Sequence, residues 1–145
     1  MGKDAPSFRK FGKDFQESLC QMILQDRPFA DQIMEVLDIG FLELHYLRVF
    51  VQKIFEYREK YNVHPSYKIM ISIIRAEIEG ENAATQQQLR NYFARIHDSQ
   101  VSGSEYIKTT ALDFCRKQKL KEAMIRSVPL LEKSSFDEIA KIIND

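Results

Sequence analysis

The sequence predicts an all-α fold: a compact bundle of about six helices followed by a short C-terminal helix. Three observations carry that expectation. Apolar residues recur three, four and seven apart in successive segments, which places them on one face of a 3.6-residue helix. The segments are separated by Pro28, Gly40, Asn62, Pro65 and Gly80, residues that stop helices or open them. The one strand-like run, Ile69 to Ile74, is rich in β-branched residues, but no second such run exists to pair with it. A chain of 145 residues forms one domain and buries about 68–70% of the surface its unfolded form exposes.

The elements follow in order. Residues 1–12 hold Gly2, Pro6 and Gly12 with mixed charge and are expected to form a loose arm. The first helix follows Asp14 as N-cap, with the stripe Phe15, Leu19, Met22 and Ile23. Pro28 stops it and suits the first turn of the next helix, which carries Phe29, Ile33, Val36 and Leu37 and ends at Gly40 in a left-handed cap. The third helix, about residues 42–60, has two stripes: Leu44, Leu47, Val51, Ile54 and Tyr46, Phe50, Tyr57, Tyr61. A helix apolar on two sides sits centrally in a bundle. Asn62 turns the chain, and Pro65 opens a fourth helix with Tyr67, Met70, Ile71, Ile74 and Ile78, capped by Gly80. The polar run 81–88 leads into a fifth helix, with Leu89, Tyr92, Phe93 and Ile96, whose first turns are expected to be solvated.

The longest uninterrupted segment, residues 105–128, organises the rest. Ile107, Ala111, Phe114 and Ile125 are assigned to the side that packs on the preceding helices. Leu112, Leu120, Ala123 and Met124 are assigned to the other side, facing a partner or a later segment. Pro129 is expected to kink or end this helix. Ser135-x-x-Glu138 fits a capping box for a last helix with Phe136, Ile139, Ala140 and Ile143. That apolar face is either folded back on the bundle or offered to another chain; the residues leave both open. The domain division is therefore an arm at 1–12, a helical domain at 13–133 and a terminal helix beginning in 134–145.

Composition excludes several functions. Lys plus Arg and Asp plus Glu are balanced at 21 each, which argues against a dedicated nucleic-acid coat or a polybasic membrane anchor. No window is long and apolar enough for a membrane span, and the N-terminus has no signal core. Cys20 and Cys115 lie among apolar residues with no zinc or disulfide spacing, and a reducing cytosol is their natural setting. The five glycines, Gly2, Gly12, Gly40, Gly80 and Gly103, are too scattered to form a phosphate loop, so this chain alone is not expected to hydrolyse ATP. His45, His64 and His97 fall on separate elements, and Glu77 with Glu79 reads as solvated surface. No catalytic residue, cofactor or metal is expected.

The charged feature that comes nearest to a site is Arg116, Lys117, Lys119 and Lys121. Phosphate contact is one reading. The preferred one is a solvated helix face, because the four spread around the helix and Asp113 and Glu122 dilute them. Core packing is likewise preferred over base stacking for Tyr46, Phe50, Tyr57 and Tyr61.

Four segments resemble the N-terminal domain of DnaB-type hexameric replicative helicases, in a bacteriophage variety. They are Phe15 to Asp26; Phe41-Leu with Val49-Phe50; the Pro65 helix start; and Tyr106-x-x-x-x-Ala111-x-x-Phe114-Cys115-Arg116-x-x-x-Leu120. Phe136-Asp-Glu-Ile139 then resembles the start of the family's linker helix. A histidine common in the family's second element falls at Tyr46, with His45 one position early. The resemblance implies a collar domain that pairs with other copies of itself, sets ring geometry and docks primase or a helicase loader in the cytoplasm of a bacterial host. It implies that Phe136, Ile139, Ala140 and Ile143 dock on a neighbouring motor domain. ATP hydrolysis would reside in a RecA-like domain outside these residues, and the chain would be the first piece of a longer helicase. Two other classes compete. One is a free-standing helical adaptor such as a helicase loader; the other is a small phage replication factor that binds DNA through Arg116 to Lys121.

Overall fold

The computed structural model describes residues 5–133 and 141–143. Six α-helices and three short 3-10 turns account for most of them, residues 141–143 are helical as well, and no strand occurs among the described residues. The fold is all-α.

Helix α1 (Lys13–Gln25) begins after Gly12, whose φ of 89° turns the chain in from the preceding segment. Asp14 is not the N-cap; it sits in the first turn, where its carboxylate faces the positive end of the helix. Helix α2 (Arg27–Ile33) follows at once. Asp26 caps it by accepting from the Phe29 N–H at 3.1 Å, and Pro28 occupies its first turn. This helix stops well short of Gly40. Asp38 accepts from the Gly40 N–H at 2.8 Å and sets up a 3-10 turn over Ile39–Phe41, offering the backbone an alternative to helix. Gly40 therefore takes no left-handed cap; among the described residues the positive-φ glycines are Gly12 and Gly103. Val36 and Leu37 still pack against the core, but from a turn rather than a helix.

Helix α3 (His45–Tyr61) lies at the centre, packed on α1 and on the two helices that follow it. Both of its stripes are used: Leu47, Val51 and Ile54 are fully buried, as is Phe50, with Tyr46 nearly so. The aromatic stripe leaves the core toward its end, where Tyr61 is exposed. Asn62 adopts the left-handed conformation that ends α3. Helix α4 (Tyr67–Glu77) is capped by Ser66, whose hydroxyl accepts from the Ile69 N–H at 3.1 Å. The Ile69–Ile74 run is helical, with Met70 and Ile74 inward. Helix α5 (Ala83–Ile96) starts earlier than its apolar residues suggest. Asn82 caps it through the Thr85 N–H at 2.8 Å, and Thr85 is buried. A polar network ties three helices together: the Glu17 carboxylate accepts from Tyr46 and Arg95, and its backbone carbonyl from Tyr92.

The described part of the N-terminal segment is not a loose arm. Phe8 is fully buried, its N–H donates to the Phe41 carbonyl at 2.8 Å, and Arg9–Phe11 forms a 3-10 turn. Phe8 sits among Phe15, Phe41 and Phe114, with ring centroids 6.1, 5.9 and 4.9 Å away. Burying one phenylalanine contributes about 1.5–3 kcal/mol, enough to hold a short segment whose Pro and Gly composition reads as flexible.

Helix α6 (Ser104–Lys133) is 30 residues long and carries Pro129 inside it. The proline neither ends nor shortens the helix. It removes the donor that would reach the Ile125 carbonyl; Ile125 is exposed, where a freed carbonyl is able to bond to solvent.

Candidate functional site: the outer half of α6

Helix α6 is about 45 Å long, whereas α1 and α2 reach about 20 Å and 10 Å. The helices it packs on, α1 and α2, are too short to cover it. Its first half is an ordinary core helix. Ile107, Ala111, Leu112 and Cys115 are buried, Phe114 packs on Phe8 and Phe41, and Lys108 reaches Asp26 at 3.0 Å. From Arg116 to Glu132 no residue is buried.

The outer half nevertheless keeps an apolar face. Leu120 is 62% exposed and Met124 63%, and Ile125, Val128 and Leu131 are open as well. With Lys117 and Lys121 at the edge, these residues line one shallow surface groove. At about 100° per residue Leu120, Met124, Val128 and Leu131 lie on the side of the helix away from Ala111 and Cys115, whereas Ile125 falls on the same side as Ile107. Ile125 continues the core stripe past its cover; Leu120, Met124, Val128 and Leu131 form a second stripe that begins where the core stops.

Leu120 and Met124, expected to face a partner, are exposed. Sequence reading and structure part at Leu112, expected to face a partner but only 9% exposed and packed in the core. Its helical angle puts it beside Cys115, far from Met124. They also part at Ile125, expected on the packing side but exposed because no helix extends that far. Val128 and Leu131 were not foreseen as part of the face. The signal was present in their spacing from Leu120 and Met124, but treating Pro129 as a helix end hides it. Phe136, Ile139 and Ala140 lie outside the described residues. Ile143 is exposed.

The four basic residues Arg116, Lys117, Lys119 and Lys121 are all exposed. Lys117 pairs with Asp113 at 3.0 Å, one helical turn back. Lys117 and Lys121 flank the apolar face, while Arg116 and Lys119 point elsewhere around the helix. Tyr46 and Phe50, the inner half of the aromatic stripe, are core residues.

The three histidines and two cysteines stand apart from one another. His45 meets Glu81 at 2.9 Å on the surface, and His97 stacks near Tyr67 with ring centroids 5.0 Å apart. The Nε2 of His64 lies 2.6 Å from the Leu24 carbonyl and must carry the proton, so Nδ1 accepts from Arg58 at 2.7 Å. Burial pushes its pKa below the ordinary histidine value against the pull of the Leu24 bond, with Arg58 acting alongside burial. Burial, then Glu17, raises the Cys20 thiol pKa well above normal, and burial, then Asp38, lifts Cys115 to about 12; both thiols are inert at neutral pH. Among the described residues no group of three or more His, Cys, Asp or Glu side chains is placed to hold a metal, and no helix is long and apolar enough to cross a membrane.

No family model, no curated protein and no solved structure matches this chain.

Proposed function

We propose that the chain is an assembly module whose bundle carries a projecting helix, and that the outer half of α6 pairs with another copy of the chain. The observation that supports this is the exposed stripe Leu120, Met124, Val128 and Leu131, with Ile125 open beside it. Contiguous apolar surface at helical spacing, rimmed by charge, is what a helix-pairing face requires. The role fits the collar of a ring-shaped replicative helicase, to which the sequence bears its resemblance. In that setting the motor lies in another part of the protein, and primase or a loader docks on the assembled collar in the cytoplasm of a bacterial host.

Charge favours an antiparallel pair. A parallel pair sets Lys117 against Lys117 and Lys121 against Lys121 of the second copy. An antiparallel pair centred between Met124 and Ile125 sets Lys117 across from the second copy's Glu132 instead, an opposite-charge pair at the rim. Analytical ultracentrifugation over a range of concentrations tests the reading. The native chain is expected to dimerise, and Leu120→Glu with Met124→Glu to remain monomeric with the same melting temperature. A native chain that stays monomeric at every concentration overturns it.

One observation favours a second reading: Arg116, Lys119 and Lys121 form no ion pair among the described residues, leaving three cations free for phosphate. Filter binding of single- and double-stranded DNA at several salt concentrations tests this. Affinity that is absent even at low salt removes it.

A further inference from the structure

Helices α4 and α5 both pack on α3, yet they meet each other closely only at one end. There the Tyr67 hydroxyl donates to the Phe93 carbonyl at 2.7 Å and the two rings lie 5.6 Å apart. At the other end the 3-10 turn Ile78–Gly80 bridges the gap. Between these closures runs a groove of about 620 Å³. Its floor is apolar, made by Ile74, Ile78 and Phe93, with Ile71 and Tyr67 on its sides. One arginine stands on each wall, Arg75 on α4 and Arg90 on α5, and neither forms an ion pair among the described residues. Glu79 is the one acidic residue lining it.

We infer that this groove docks an acidic amphipathic helix of a partner protein. The apolar floor calls for apolar anchors three and four residues apart. Arg90 donates to the Gln86 side chain at 3.2 Å, but neither guanidinium is neutralised by a described carboxylate, and the two on facing walls call for carboxylates flanking those anchors. A helix suits the site better than an extended segment. Both walls are helices whose backbone groups are bonded within themselves, so there is no strand edge to extend, and a helical ligand likewise closes its own backbone bonds. The groove follows α4, 11 residues long and about 16 Å, which matches roughly three turns of ligand. It shares no residue with the outer face of α6, so the inference stands or falls apart from the self-pairing reading.

Amide chemical shifts of the native chain test it. The probe is a synthetic helix of about three turns with leucines three and four apart flanked by glutamates, beside a control with lysine at every glutamate. The acidic peptide is expected to shift amides of α4 and α5, and the control is not. Arg75→Glu with Arg90→Glu is expected to weaken binding about tenfold, the scale of two exposed ion pairs. Ala94→Trp, which fills the groove without altering a charge, is expected to weaken it too. Both changes lie at exposed positions, and an unchanged melting temperature confirms folding. Equal binding of the two peptides overturns the inference, as do shifts confined to residues 117–131. So do α4–α5 shifts produced by an oligothymidine strand but not by the acidic peptide, which would indicate nucleic acid. Shifts of these amides on raising protein concentration alone overturn it in favour of a second copy.

Discussion

The first and second halves of α6 are one continuous helix under two different constraints. Through Cys115 the helix is held by tertiary burial: Ala111 and Cys115 are fully enclosed and Phe114 completes an aromatic cluster. Beyond it no described residue of the bundle covers the helix, which persists on its own internal bonds, through a proline. Four of its apolar residues, Leu120, Met124, Val128 and Leu131, also change sides. If the outer half were merely surplus helix, those positions would be free to be polar all round, as a solvated helix normally is. An apolar stripe that starts where intramolecular cover ends, on a different face, is a surface shaped for something outside the bundle. Burial of a residue type in one half therefore predicts nothing about the same type in the other.

That contrast can be broken by mutation. The largest effect is expected from Ala111→Asp, which places a charge at a fully buried site with no partner. It should cost more than about 4 kcal/mol or prevent folding, as read by urea denaturation, whereas Leu120→Asp should stay within about 0.5 kcal/mol in the monomer. Next is Phe8→Ala, expected to cost about 3–5 kcal/mol, since Phe8 is the lid on Phe114; a loose arm would give no change. Leu112→Ala should cost about 2–3 kcal/mol, and a null result there would return Leu112 to the exposed face. A smaller loss is expected at Asp26, which caps α2 and anchors Lys108 of α6. Losing the cap in Asp26→Ala costs about 1 kcal/mol. Burial raises the Asp26 pKa, but the Lys108 and Phe29 hydrogen bonds outweigh it and hold the carboxyl below its ordinary value. A depressed folded pKa means the contribution is present above the unfolded carboxylate range and lost as pH falls through the folded value. The acid limb of stability against pH should therefore be shallower in the variant.

The helices were legible because their signals are local. Pro28, Asn62 and Pro65 act within a few residues, and the stripes of α1, α3 and α5 follow from spacing alone. Where the reading failed, the deciding contact was distant. Phe8 looks unattached until Phe41 and Phe114 are brought beside it. The end of α2 depends on the side chain of Asp38 competing for the Gly40 N–H. Ile125 and Leu112 exchanged roles because spacing says which residues share a face but not how far along a neighbouring helix reaches. The α4–α5 groove left no trace in the sequence, since it arises from two helices sharing α3 without closing on each other.

The most direct test of the contrast is amide hydrogen exchange along α6 at low and high protein concentration. Amides from about Ile107 to Cys115 should be protected equally at both. Those from Lys117 to Leu131 should exchange fast when dilute and become protected when concentrated, and Leu120→Glu with Met124→Glu should abolish that gain. Protection of the outer half that is the same at every concentration, whether high or absent, contradicts the assignment of this face to a second chain.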